Sequence, residues 1–192
     1  MRIIAGRWRG RRLTAPPGND LRPTTDRVKE ALFNILQGDL AGLTVLDLCC
    51  GAGGLGIEAL SRGAKLAVFV DRDPRALAAT RANLTHCGAE PASYRLVQGD
   101  ALEQLRRQLE APPVERWCLL ADPPYAAGLA EAILAQAPDL IAAPGLQVAV
   151  VEHGRDVPAS VLTGGMGRTR RYGRSCLTIL RPGAGEGSVS DD

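Results

Sequence analysis

Four short strand-like runs, each ending at or near an aspartate and each followed by a helical stretch, constrain this chain more than any other feature. The runs are Thr44–Leu48, Ala67–Val70, Tyr94–Val97 and Trp117–Ala121, with Asp47, Asp71, Asp100 and Asp122 at their ends. Apolar runs of this length between turn signals read as strands buried on both faces. Helical segments through about Ser61, over Asp73–Thr85, Ala101–Leu109 and Leu129–Gln136 alternate with them. Such alternation predicts crossover connections and a doubly wound α/β sheet, which places its chemistry at the carboxyl ends of the strands. Leu146–Val151 is a fifth strand, and Val161-Leu162-Thr163 with Ser175–Leu180, around a glycine- and arginine-rich segment, reads as an antiparallel pair closing the sheet.

A chain of 192 residues with 45% hydrophobic content suffices for one well-cored domain. Residues 1–21 form an arginine-rich extension with room for a short hairpin, residues 22–182 the α/β domain, and residues 183–192 a Gly, Ser and acid tail expected to be disordered. Within the domain, Arg22-Pro23-Thr24-Thr25-Asp26 reads as a helix start, followed by the apolar stripe Val28, Ala31, Leu32, Ile35 and Leu36. No apolar stretch approaches the ~20 residues of a membrane span, and the first residues lack the apolar core of a secretory signal. The expectation is a cytoplasmic protein with no membrane partner. The cysteines (Cys49, Cys50, Cys87, Cys118, Cys176) form no C-x-x-C pair, and His86 and His153 are the only histidines, so no metal site is expected.

Net charge is only +2, but its distribution is uneven. Arg2, Arg7, Arg9, Arg11 and Arg12 crowd the amino terminus, with Arg22, Arg27 and Lys29 behind them, and Arg168, Arg170, Arg171 and Arg174 cluster near the carboxyl end. Arginine suits bidentate phosphate contact and stacking on bases, so polyanion binding ranks above a merely solvated surface.

Between the first strand and its helix lies Asp47-Leu-Cys49-Cys50-Gly51-Ala-Gly53-Gly54-Leu-Gly56. Glycines at 51 and 53 permit a sharp turn and close approach of a ligand to the backbone. Asp71, about 20 residues on, stands where a carboxylate accepts from ribose hydroxyls. Nicotinamide and S-adenosylmethionine binding both fit these features. Asp47 would repel a pyrophosphate but could bind a cationic methionyl end, and Asp100 can accept from an adenine amino group. Taken singly, Asp47 reads equally as a turn acid and Asp100 as a helix cap. Asp122-Pro123-Pro124-Tyr125 follows the fourth strand. Two prolines stiffen this loop, which presents acceptors for an amino group and a ring for a flat base.

Asp47…Gly51-x-Gly53, Asp71, Asp100 and Asp122-Pro-Pro-Tyr125 resemble class I S-adenosylmethionine-dependent methyltransferases that modify exocyclic amino groups of bases. Met1-Arg-Ile-Ile-Ala-Gly6, Arg22-Pro-Thr-Thr-Asp-Arg-Val-Lys-Glu-Ala-Leu-Phe-Asn-Ile-Leu36 and Leu55-Gly-Ile-Glu-Ala-Leu-Ser-Arg-Gly-Ala64 are similar to the bacterial 16S rRNA guanine-966 N2-methyltransferase family, over about residues 1–181. The resemblance implies a Rossmann-like, mostly parallel seven-stranded sheet with an antiparallel C-terminal strand and helices on both faces. It implies S-adenosylmethionine as cofactor, S-adenosylhomocysteine as product, no metal, and 16S rRNA in a partly assembled 30S particle as partner of a monomer. By motif match, Asp47, Cys49, Gly51, Gly53, Asp71, Arg72, Asp100 and Ala101 would hold the cofactor, and Asp122, Pro123 and Tyr125 the target guanine. Arg7, Arg9, Arg11, Arg12, Arg22, Arg168, Arg170 and Arg171 would meet RNA. Cys49 and Cys50 depart from the aromatic-alanine pair common in the family, which predicts altered cofactor packing.

Three rival functions share some of these residues. An adenine-N6 DNA methyltransferase would use the same loop but leaves little room for a sequence-reading domain. A catalytically silent RNA-binding protein of the same fold would keep the arginines and lose the cofactor. A hydride-transfer dehydrogenase leaves the prolines and the arginine clusters without a role.

Overall fold

The computed structural model describes residues 1–15, 26–36, 38, 40–111, 115–125, 128–157, 164 and 166–183. The elements run α1 (Asp26–Ile35), β1 (Thr44–Leu48), α2 (Gly54–Ser61), β2 (Leu66–Asp71), α3 (Pro74–His86), β3 (Tyr94–Gln98), α4 (Ala101–Glu110), β4 (Trp117–Ala121), α5 (Leu129–Leu134), α6 (Ala137–Ala142), β5 (Leu146–Gly154), β6 (Gly167–Tyr172) and β7 (Ser175–Leu180). The seven strands form one sheet in the order β3-β2-β1-β4-β5-β7-β6. The first five in this order are parallel to one another, and β7 runs antiparallel to both β5 and β6. This is the mostly parallel seven-stranded sheet expected. β1 pairs with β2 on one side and β4 on the other, so the strand order reverses at β1 and opens a crevice at its carboxyl end.

Side-chain alternation builds two cores from each central strand. Along β4, Cys118 and Leu120 join a core with α1, α2 and α3, while Trp117, Leu119 and Ala121 join one with α4, α5 and α6. Residues on both faces are buried, which explains the unbroken apolar runs.

Three local readings change. The stretch expected as one helix over Leu129–Gln136 ends at Leu134, and a second short helix starts at Ala137 with a proline in its first turn. β5 extends to Gly154, because the polar Glu152 and His153 pair in register with Leu177 and Cys176 of β7. The observed outer partner of β7 is Gly167–Tyr172; the stretch expected to pair, residues 161–163, lies outside the described residues, as do Arg22 and the tail beyond residue 183.

Residues 1–13 fold back through an Arg2–Arg12 antiparallel bridge, with Ile3 N–H to Arg11 C=O at 2.9 Å and Leu13 N–H to Met1 C=O at 3.0 Å. Ile3, Trp8 and Leu13 of this arm are buried in the α1–α3 core. Glu58 of α2 fastens it: its carboxylate accepts from the N–H groups of Ile4 (2.8 Å) and Ala5 (2.9 Å) and pairs with Lys29 at 3.1 Å and Arg62 at 2.9 Å. Lys29, counted in the sequence among the basic residues trailing the arm, is fully buried and also donates to the Arg2 carbonyl. Burial pulls its ammonium below the ordinary lysine value, against the attraction of Glu58. It therefore holds the arm to α1 and α2 and is withdrawn from any phosphate.

Candidate active site at the carboxyl edge of the sheet

The loop from β1 to α2 turns through left-handed conformations at Cys49 (φ 59°), Gly51 (φ 55°) and Gly53 (φ 79°). Its backbone is tied on all sides. Cys50 N–H reaches Val70 C=O at 3.0 Å, Gly53 N–H reaches Cys50 C=O at 2.8 Å, and Gly51 N–H donates to Asp71 Oδ2 at 2.9 Å. The two glycines do different work. A Cβ at Gly53 would stand 2.8 Å from Thr80 Cγ2, whereas one at Gly51 would meet nothing within 4 Å, leaving space beside the loop for a ligand.

The carboxylates divide by burial. Asp47 is buried on the central strand and accepts from Gly56 N–H at 2.8 Å. Desolvation, reinforced by the negative Asp122 and Asp71, pushes its carboxyl up to about 8. Asp71 accepts from Gly51 N–H at Oδ2 and, at 2.9 Å, from Asp73 N–H at Oδ1, so one oxygen braces the glycine loop and the other its own turn into α3. Asp100 is exposed, and its Oδ1 caps α4 by accepting from Leu102 and Glu103 N–H at 3.0 Å each. Arg72 is exposed just past β2, and Ala101 is buried at the start of α4. Burial drives the Cys49 thiol up to about 12 and Cys50 well above its usual value, so both stay protonated.

Beyond β4, Asp122 is half-buried, Pro123 buried and Pro124 exposed. The Tyr125 ring is 47% exposed, but its hydroxyl is held, donating to Glu152 Oε1 at 3.0 Å and lying 2.8 Å from Ser175 Oγ. Burial of that hydroxyl raises it to about 12, so it acts as a donor and not as a phenolate. Sequence reasoning missed Glu152 and Ser175; the available signal was a lone acid inside an otherwise apolar strand. His153 is taken up internally, with Nδ1 2.8 Å from Gly154 C=O and Nε2 2.8 Å from Thr178 Oγ1.

The arginines fall into two kinds. In the arm, Arg7 lies over the Trp8 ring at 4.0 Å and Arg11 donates to the His86 carbonyl at 2.8 Å, while Arg9 and Arg12 are exposed. On the edge strand β6, Arg168 and Arg170 stand opposite Ile179 and Leu177, which face the core that also holds Ile3, Trp8 and Leu13. Opposed residues of an antiparallel pair share a face, so these two arginines project on the arm's side of the sheet and Arg171 on the other. Arg168 and Arg170 thus share the face of the sheet on which the arm packs.

Among solved structures, "Putative methyltransferase yhhF from Escherichia coli" superposes with a TM-score of 0.74 at 31% identity, covering 96% of this chain and 99% of that one. Strand order, crevice and this likeness define a Rossmann-like class I methyltransferase, the class whose cofactor is S-adenosylmethionine. "Putative rRNA methyltransferase YlbH" of Bacillus subtilis (strain 168) is 36% identical over 183 residues, 94% of this chain and 98% of the relative. "Ribosomal RNA small subunit methyltransferase D" of Escherichia coli (strain K12) is 39% identical over 131 residues, 68% of this chain and 63% of the relative. The family model described as "Conserved hypothetical protein 95" matches residues 1–181, and the chain belongs to this family of rRNA methyltransferases.

Proposed function

We propose that this chain transfers a methyl group from S-adenosylmethionine to the exocyclic N2 of a guanine in 16S rRNA, guanine 966 by likeness to its family. We place the monomer in the cytoplasm, acting on a partly assembled 30S particle. The observation that carries this reading is the position of Asp122-Pro123-Pro124-Tyr125 directly after β4, beside the strand that holds Asp47 and the glycine loop.

The open space beside Gly51 and the carboxylates around it fit the cofactor's parts. Asp47, with its buried carboxyl, accepts the cationic methionyl end along with Gly51 and Gly53, and Cys49 packs against the bound group. Asp71 has each oxygen already accepting one backbone N–H, and its remaining lone pairs suit ribose hydroxyls. Asp100, with Oδ1 engaged at α4, offers Oδ2 to the adenine amino group, next to Arg72 and Ala101. The bound sulfonium supplies an activated methyl group.

The N2 lone pair is delocalised into the guanine ring, so the amine is a poor nucleophile; its nitrogen becomes tetrahedral and positive as the methyl group arrives, and one proton then leaves it along the hydrogen bond to Asp122. The Asp122 carboxylate and the Pro123 carbonyl accept its two N–H bonds and stabilise that charge, an effect of about 3–4 kcal/mol per preorganised partner. Tyr125 stacks on the extruded base, contributing roughly 1–3 kcal/mol. Arg9 and Arg12 of the arm and Arg168 and Arg170 of β6, with Arg7, Arg11, Arg22 and Arg171, contact phosphates, so RNA affinity falls steeply with salt. Transfer of labelled methyl to undermethylated 30S particles and to duplex DNA, in parallel, tests this reading. Incorporation into the particle and not the DNA is expected; incorporation into DNA alone, or into neither, overturns it.

A further inference from the structure

The face of α3 that meets the glycine loop carries two side chains one turn apart. Thr80 Oγ1 donates to the Gly51 carbonyl and Asn83 Nδ2 to the Ala52 carbonyl, each at 2.9 Å. A trans peptide points its N–H opposite its C=O, so anchoring the Gly51 carbonyl on α3 turns the Ala52 N–H away from that helix. These two bonds set which way the loop presents its backbone.

Asn83 is itself held from the other side by the amino-terminal arm. The Thr14 N–H donates to Asn83 Oδ1 at 2.9 Å, and Asn83 Nδ2 donates its second hydrogen to the Thr14 carbonyl at 3.0 Å. The side chain is 2% exposed, so neither end of its amide can swing into water without breaking packing. The arm reaches this contact along a docked path: Trp8 N–H donates to Ser61 Oγ at 3.0 Å, and a Cβ at Gly6 would fall 1.9 Å from the Ser61 carbonyl. The arm also touches the loop's far end, where a Cβ at Gly54 would come within 2.4 Å of Met1 Sδ.

We propose that Asn83 is a positioning residue for the cofactor loop, and that the amino-terminal arm sets cofactor affinity by bonding Asn83 through Thr14. This rests on the reading that Gly51 and Gly53 hold the cofactor. The arm that presents Arg7, Arg9 and Arg12 is therefore part of the cofactor site as well.

Calorimetric titration of the full chain with S-adenosylhomocysteine tests the link. Thr14→Pro removes the one N–H that bonds Asn83 Oδ1; loss of one such bond weakens binding by about 3- to 10-fold. In an Asn83→Leu background the same change is expected to add nothing, whereas independent effects would multiply. Steady-state kinetics of Thr14→Pro should show a raised KM for the cofactor with kcat and the KM for RNA unchanged, which a general loss of stability would not produce. Asn83→Asp keeps the acceptor for Thr14 N–H but loses the donors to the Ala52 and Thr14 carbonyls; it should weaken S-adenosylhomocysteine binding while amide exchange at Thr14 stays protected. Gly53→Val, which collides with Thr80, is the control for the loop. If Gly53→Val binds S-adenosylhomocysteine like the wild type, the assignment of the loop fails. If Gly53→Val loses binding while Thr14→Pro, or Asn83→Asp should Thr14→Pro not fold, binds like the wild type, the role of the arm and Asn83 is overturned.

Discussion

Asp47 and Asp100 both lie near the carboxyl edge of one sheet, Asp47 as the last residue but one of β1 and Asp100 two residues past β3, yet one is sealed in and the other stands in solvent. The cause is topological. β1 lies between β2 and β4 inside the sheet, while β3 is one of its two edge strands. Central position costs Asp47 its water and raises its carboxyl to about 8; edge position lets Asp100 accept two helix N–H groups as an ordinary cap. Two acids near strand ends therefore differ in chemistry: a buried carboxyl that holds its proton and an exposed carboxylate that caps a helix. Asp122, after β4, falls between these extremes, half-buried and close enough to Asp47 to raise its proton affinity.

The largest effect is expected at Asp122. Asp122→Ala should lower methyl transfer by about 10²- to 10³-fold, the usual cost of losing one preorganised partner of a developing charge. Binding of S-adenosylhomocysteine should change little. Equal losses in radiometric transfer and in calorimetric affinity would make Asp122 a structural residue and join it to Asp47.

A smaller, pH-dependent effect is expected at Asp47. The unfolded chain releases this proton near 3.8 and the folded chain near 8, so between these values the folded state binds more protons. Its contribution to stability is then lost as pH rises from about 4 to about 8. Asp47→Asn keeps an acceptor for Gly56 N–H and removes the titration, so denaturant midpoints of the variant should fall less between pH 5 and pH 8 than those of the wild type. Parallel falls in both proteins would contradict the burial of Asp47.

Asp100 should show the smallest change. Asp100→Ala removes the cap of α4 at about 1 kcal/mol, visible as a modest drop in Tm, and Asp100→Asn should restore it. A loss much beyond that, or no recovery with asparagine, would break the contrast with Asp47.

The sheet was legible because its central strands are buried on both faces. Thr44–Leu48, Trp117–Ala121 and Ser175–Leu180 were bounded correctly from apolar runs alone. The acids of the crevice were legible because each sits at a strand end. What escaped were polar residues whose partners are far along the chain: Lys29 with Glu58, Asn83 with Thr14, and Tyr125 with Glu152 and Ser175. No local pattern distinguishes a lysine that will be buried from one that will meet phosphate. The arm's arginines were visible, but the burial of Ile3, Trp8 and Leu13 between them follows only from the surface that α2 and α3 offer.

Nucleoside digestion after methyl transfer tests the central claim most directly. Undermethylated 30S particles incubated with this chain and labelled S-adenosylmethionine should yield N2-methylguanosine, and the Asp122→Ala protein should yield almost none. Label recovered in N6-methyladenine, or at equal levels with the Asp122→Ala protein, would contradict the account.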